Sequence, residues 1–362
     1  MSREPMGQMM SVPEFTEFSV WTNVLVLAAG ACTVWWSGAR LAVCADAIVH
    51  RTKIASALAG ALLLGGATSL PELATTLTAS RLGNAPLAVN NLFGGIAMQF
   101  AVLAAVDLAF VRGALTYFSP RPVLLLSGVL VILQISLGLA AISCGDVTVV
   151  FHCGAWPIVL AVVYGQSLYF MQRYTGREVW IPAEIPEDMS AAAGETKTET
   201  RRRAAEYGRG VYVRFALFCG LVLIAGWAVS SAADALSAQS GVGSGFIGAT
   251  LVALATSLPE ISTTAGGVRL GAYTMAMSNI FGTNALEVAL LLPADLAYTQ
   301  GAVVNDVDES AIFVGALGIA MTTLYLWGLL ERRNRTVLRM GVDSALVLIV
   351  YLVGLCLLYR IP

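Results

Sequence analysis

Charged residues are scarce in this chain. Lysine and arginine number 21, and aspartate and glutamate 23, together 12% of 362 residues. A soluble globular protein carries about 25%. The net charge is only −2, so no basic excess exists to neutralise phosphates. An ordinary cytosolic enzyme, a disordered chain and a nucleic-acid binder are thereby excluded. Histidine is limited to His50 and His152, which excludes a zinc site built on HExxH. The six cysteines (Cys32, Cys44, Cys144, Cys153, Cys219 and Cys356) contain no CxxC, and five sit in or beside apolar runs. They read as packing residues, with a Cys144–Cys153 bridge across a short outer turn as the one alternative. No basic cluster precedes the first apolar run, and Glu4 and Glu14 lie ahead of it. The N-terminus therefore does not read as a cleaved signal peptide, and the first helix serves as the insertion signal.

Apolar residues are abundant, at 57%. A bilayer-crossing helix needs roughly 20 of them in a row. Ten such stretches are predicted, at about 21–45, 54–80, 85–111, 122–143, 148–170, 212–234, 244–267, 272–299, 309–330 and 342–360. The expected fold class is an all-α polytopic membrane protein. The one long polar segment, 171–211, contains Pro182, Pro186 and the run Thr196 to Arg203, and reads as a mobile cytoplasmic loop. With the N-terminus outside, 17 of the 21 basic residues fall on inward connections, among them Arg51, Lys53, Arg112, Arg121, Arg269, Arg332, Arg333, Arg335 and Arg339. The positive-inside rule then places both termini outside the cytoplasm, in an inner or plasma membrane.

Sliding the sequence on itself by 188 positions superposes Thr68-Ser69-Leu70-Pro71-Glu72 on Thr256-Ser257-Leu258-Pro259-Glu260. The register continues without a gap. Thr75 and Thr76 meet Thr263 and Thr264, Asn91 meets Asn279, Gly94 meets Gly282, Asp107 meets Asp295, and upstream Asp46 meets Asp234. The chain thus reads as two homologous five-span halves, 1–170 and 212–362, around the 171–211 loop, with repeats at about 54–111 and 244–299. Five is odd, so the halves are expected to be inverted, an arrangement found in secondary transporters that bind at the midplane.

Each repeat places a proline and a glutamate well inside a span. Proline removes a backbone donor, so the helices are expected to loosen near the carbonyls of Ala67 and Ala255, turning those of Gly65 and Ala253 into a cavity. Glu72 shares a helix face with Thr68 and Ser69, and Glu260 with Thr256 and Ser257. Two carboxylates brought together would repel unless a cation lay between them. Carboxylates, hydroxyls and carbonyls are ligands for Ca²⁺ and Na⁺, and no Cys or His joins the set. Gln99 and Glu287 occupy equivalent positions one turn beyond the Asn-x-Phe-Gly segments. Singly, these residues read as interhelical glue, a kink and a structural acid. Doubled in one register, they favour a cation site. Thr75, Thr76, Thr263 and Thr264 read as packing. Asp46, Asp107, Asp234 and Asp295 read as capping or interfacial, with ion access as the alternative.

The paired Ala-Thr-Ser-Leu-Pro-Glu strings with Asn-x-Phe-Gly downstream resemble the cation/Ca²⁺ exchanger superfamily, whose two repeats carry a Gly-x-x-Ser-x-Pro-Glu type motif. The resemblance covers nearly the whole chain. It implies alternating access, with spans one and six sliding past the rest, and exchange of Ca²⁺ for Na⁺, or, on the alternative, for H⁺. It implies that Glu72 and Glu260 ligate both ions, that Thr68 and Thr256 give carbonyls to Ca²⁺, and that Ser69 and Ser257 shape the site. Gly65 and Ala253 would offer carbonyls to Na⁺, Thr283 a hydroxyl, and Gln99 and Glu287 would complete the centre. Three positions depart from the pattern: Gly95 stands where a hydroxyl is usual, and Gln99 and Glu287 are each one methylene longer than the common Asn and Asp. Leu73 and Ile261 follow the motif glutamates where the proton-coupled branch often has Gln, which disfavours that branch. No cofactor, nucleic acid or obligate protein partner is implied. The set offers no nucleophile–base pair, so an enzyme is not expected. A channel or ion sensor remains the alternative of another class.

Overall fold

A computed structural model describes residues 15–52, 66–111, 113–119, 121–150, 152–174, 210–269 and 273–361. They form α1 (Val20–Thr52), α2 (Leu70–Arg81), α3 (Ala85–Phe110), α4 (Pro122–Cys144) and α5 (Ala155–Tyr174). After these come α6 (Val211–Ser240), α7 (Ser244–Thr256), α8 (Leu258–Arg269), α9 (Tyr273–Ala289), α10 (Leu291–Ala297), α11 (Glu309–Glu331) and α12 (Val342–Leu358). Among the described residues, six stretches are long and apolar enough to cross a membrane: Val20–Leu41, α3, α4, α6, Tyr273–Ala297 and α11. The pair α7 and α8, bent by 51°, makes a seventh, and α12 is apolar but only 17 residues long. The first half of the expected second span (53–65) and most of the 171–211 loop (175–209) lie outside the described residues.

The expected fifth span needs correction. Residues 148–150 and 152–154 are not helical: Thr148–Val150 (β1) and Cys153–Gly154 (β2) pair antiparallel, and the helix starts at Ala155. Asp146 causes this start. Its carboxylate accepts from the backbone N–H groups of Ala155 (2.9 Å) and Trp156 (3.1 Å), which otherwise have no intrahelical partner. A matching hairpin, Thr336–Val337 (β3) with Met340–Gly341 (β4), precedes α12. Cys144 and Cys153 are free thiols. Burial, with Asp295 beside it, pushes the Cys153 thiol up to about 12, which opposes the thiolate that a bridge would need.

Helix α3 is the axis of the molecule. Most of its residues are buried, whereas Val20–Leu41 of α1 is largely exposed. It starts where Asn84 accepts from the N–H of Leu87 (2.9 Å), with Pro86 in the first turn. The turn before it needs Gly83 at φ +76, where a Cβ would overlap the Gln300 side chain. Phe100 of α3 packs edge-on to Phe281 of α9 and tilted to Tyr325 of α11, both at 5.5 Å. Helices α1 and α6 lie along each other on the outside. Trp21, Leu25, Leu217 and Ile224 are exposed on them, which suits hydrocarbon rather than water. Arg40, the basic residue within the first span, sits 5.2 Å from the Trp36 ring centroid.

Candidate functional site

The interruptions that build the site fall on serines. Ser257 (φ −79, ψ 3) separates α7 from α8, and Ser69 (φ −85, ψ 9) stands immediately before α2. In α2 and α8, Pro71 and Pro259 are therefore in the first turn, where a missing N–H deprives the helix of nothing. The second-repeat span is thus interrupted at the motif, as the proline predicts, and the interruption takes the form of a 51° bend with a helix restart at the serine. The Ala253 carbonyl differs from expectation: it accepts from the N–H of Ser257 (3.0 Å) and from the Thr256 hydroxyl (3.2 Å). Gly65 lies outside the described residues. The restart puts Glu72 and Glu260 in the first turns of their helices, where the macrodipole favours negative charge.

Glu72, Glu260 and Glu287 are all 0% exposed. Thr256 stands beside Glu72 and Thr68 beside Glu260, the same pairing exchanged between residues 188 apart. Both carboxylate oxygens of Glu72, both of Glu260, and the hydroxyls of Ser69 and Ser257 are buried without a hydrogen-bond partner. Folding does not leave so many buried polar atoms unmatched in one place without reason. Among the described residues no three acidic, histidine or cysteine side chains meet as one metal cage. Two carboxylates completed by neutral oxygens are what the arrangement offers.

Beside this pair lies a second group. The Thr283 hydroxyl donates to Gln99 Oε1 (2.7 Å), and Gln99 Nε2 donates to Glu287 Oε1. A Cβ on Gly95 would stand 2.8 Å from Glu287 Oε2 and 3.1 Å from its Oε1. The longer acid thus occupies the space that a side chain at 95 would take. The departures at 95, 99 and 287 are one physical cluster.

Two residues that the sequence reading passed over support the site. A Cβ on Gly38 of α1 would overlap the Pro259 ring, and one on Gly226 of α6 would overlap the Ala74 side chain. Gly38 and Gly226 are themselves 188 apart, which is the signal that could have found them. The aspartates behave as caps. Asp295 accepts from the N–H of Gly154 and of Val303 (both 2.6 Å), and Asp107 from the N–H of Gly341 (3.0 Å). Asp234 accepts from the Asn84 amide (2.6 Å), and the Asp46 side chain lies outside the described residues.

The profile of the sodium/calcium exchanger protein family matches residues 22–171 and 210–360. The chain belongs to that family. It is an integral membrane protein of the cation/Ca²⁺ exchanger superfamily. It is similar to inner membrane protein YrbG of Escherichia coli (strain K12), at 27% identity over 285 residues, 76% of this chain and 80% of that one. Among solved structures, the fold matches an H⁺/Ca²⁺ exchanger, CAX, with a TM-score of 0.66 at 14% identity, over 95% of this chain and 85% of that one. It also matches the sodium-calcium exchanger NCX_Mj, with a TM-score of 0.56 at 14% identity, over 93% of this chain and 99% of that one. The exchanger family and the apolar helices agree with a membrane antiporter.

Proposed function

We propose that this exchanger moves Ca²⁺ against Na⁺ by alternating access. The reading has ten spans in two inverted halves, 1–170 and 212–362, with the 171–211 loop in the cytoplasm and both termini outside. The observation that carries it is the buried pair Glu72 and Glu260, with four unpartnered oxygens. Two negative charges match one divalent cation or two monovalent ones, so the same pair holds either cargo but not both. Thr68, Thr256, Ser69 and Ser257 supply neutral oxygen around it, with the backbone at Gly65. Gln99, Thr283 and Glu287 form the adjoining part of the site, where a monovalent counter-ion needs oxygen but little charge. Competition for one site couples the two fluxes.

A second reading, with H⁺ as counter-ion, is favoured by one observation. Gly95 removes a hydroxyl and admits a third carboxylate, and a carboxylate takes a proton without further ligands.

Flux in proteoliposomes of known orientation separates the readings. Under the first, radioactive Ca²⁺ enters against an outward Na⁺ gradient and ignores a protonophore. Uptake that needs only a pH gradient replaces Na⁺ with H⁺. Uptake that simply follows the Ca²⁺ gradient rejects antiport for a channel. Glu72→Gln and Glu260→Gln should each abolish exchange in a folded protein, and unchanged flux in both would reject the site.

A further inference from the structure

The Thr-Thr and Asn pairs of the repeat form a contact in one half that is absent in the other. In the first half, Asn91 of α3 donates from its amide to Thr75 Oγ1 (2.9 Å) and Thr76 Oγ1 (3.0 Å) of α2. The Thr75 hydroxyl in turn donates to the carbonyls of Pro71 and of Glu72, both at 3.0 Å. One chain of hydrogen bonds therefore runs from the far helix to the backbone of a site carboxylate. In the second half the same residue types stand at Asn279, Thr263 and Thr264. There the Thr263 hydroxyl donates to the Glu260 carbonyl (3.1 Å), so the inner link is made. The outer link is not: Asn279 Nδ2 and Thr264 Oγ1 are both buried and both without a hydrogen-bond partner. Exposure follows the same division. Thr75 and Asn91 are buried, whereas Thr263 and Asn279 are only half-buried.

A buried amide and a buried hydroxyl of complementary chemistry, left unpaired at the positions where their repeat mates bond, describe a contact that this conformation has opened. The two contacts lie two helical turns from the α2–α3 turn and from the α8–α9 connection. Those connections face opposite sides of the membrane if the halves are inverted, the arrangement put forward under Proposed function and on which this inference rests.

We propose that Asn91 and Asn279 are positioning residues that act as two alternating latches. An engaged amide holds its own helix pair together and closes the route to the cation site on its own side. Engagement of one accompanies release of the other. In the structure the Asn91 latch is engaged and the Asn279 latch released, which makes it closed on the side of the 82–84 turn. Through Thr75 and Thr263, each latch bears on the backbone of Glu72 or Glu260, so the state of the latch and the geometry of the carboxylates change together. An element with two discrete arrangements is what an alternating-access cycle requires.

The test compares Asn91→Ala with Asn279→Ala in the full chain. Removing one latch should shift the resting population toward the state in which that side is open, by roughly fivefold for each hydrogen bond lost. In oriented proteoliposomes, Asn91→Ala should raise apparent Ca²⁺ affinity at the face of the 82–84 turn and lower it at the opposite face. Asn279→Ala should do the reverse. Thr75→Val combined with Thr76→Val keeps shape but not polarity, and should reproduce Asn91→Ala even if the alanine variant folds poorly. Both shifts in one direction, or an unchanged ratio between the two faces, overturns the latch.

Amide hydrogen exchange on the protein in lipid nanodiscs reads the same equilibrium without transport. Asn91→Ala should speed exchange over residues 73–91 and slow it over 261–279. A merely structural contact would speed its own helix pair and leave the other alone, which also overturns the proposal. If the native protein carries no Ca²⁺, the antiport reading fails while the exchange experiment still decides the latch.

Discussion

Glycine 95 shows how much rests on a single missing side chain. Glu287 is longer than an aspartate by one methylene, and its carboxylate needs the space that a Cβ at 95 would enter, at 2.8 Å from Oε2. Gly95→Ser should therefore displace the acid from Gln99, at about 1–3 kcal/mol for overpacking a tight site, and slow Ca²⁺ exchange at least tenfold. Adding Glu287→Asp withdraws the carboxylate and leaves the new hydroxyl as a neutral oxygen ligand. The double variant should recover activity and show a stronger dependence on Na⁺ than the native protein. A double-mutant cycle on exchange rate measures this directly. Additive effects at the two positions would mean that the acid and the glycine are not matched. None of this complementarity was legible in the sequence. Gly95, Gln99 and Glu287 stood out as three separate departures, and only their contact in three dimensions makes them one.

At the scale of helices and hairpins, legibility tracked the length of the pattern. Long apolar runs announced α1, α3, α4, α6 and α11, because some twenty residues of one character admit few alternatives. Short runs did not. Thr148, Val149 and Val150 are apolar or β-branched, and so fit a strand or a helix end equally well; the Asp146 cap and the hairpin contacts decide it. The prolines were visible, but the fact that the helix restarts at Ser69 and Ser257 was not, because it depends on which backbone carbonyls find donors. The aspartates of the repeat can now be tested as structural elements. Asp295 accepts two backbone N–H groups, one from Gly154 at the entrance to α5 and one from Val303 in the turn between α10 and α11. An amide in its place accepts at one oxygen and opposes an N–H with its own donor. Asp295→Asn should lower the stability of the detergent-solubilised protein by about 1–3 kcal/mol, read as a lower thermal midpoint, with Ca²⁺ affinity per folded molecule unchanged. A loss of Ca²⁺ affinity with no change in midpoint would instead restore the ion-access reading.

Over the whole molecule, charge, symmetry and lipid-facing surface make one joint demand. The basic residues Arg332, Arg333, Arg335 and Arg339 cluster where α11 leads into α12, and Arg173 lies at the end of α5. The proposed orientation, argued from the positive-inside rule, has both ends on the cytoplasmic side. The hairpin before α5 and the acidic turn with Asp306, Asp308 and Glu309 then face outward. If five spans precede the 171–211 loop and five follow it, both termini must share the face opposite that loop. An even split would instead put the N-terminus on the loop side and make the halves parallel. Cysteine labelling in intact cells distinguishes these arrangements. Cys144 is exposed at the end of α4 next to the hairpin, and as the only cysteine left in the chain it should react with a membrane-impermeant maleimide from outside. Arg360→Cys in a cysteine-free background should do the same. Arg173→Cys and Arg335→Cys should react only after the membrane is permeabilised. Reaction of Arg360→Cys and Arg335→Cys from the same side would break the odd count in the second half, and with it the inversion on which the alternating latches depend.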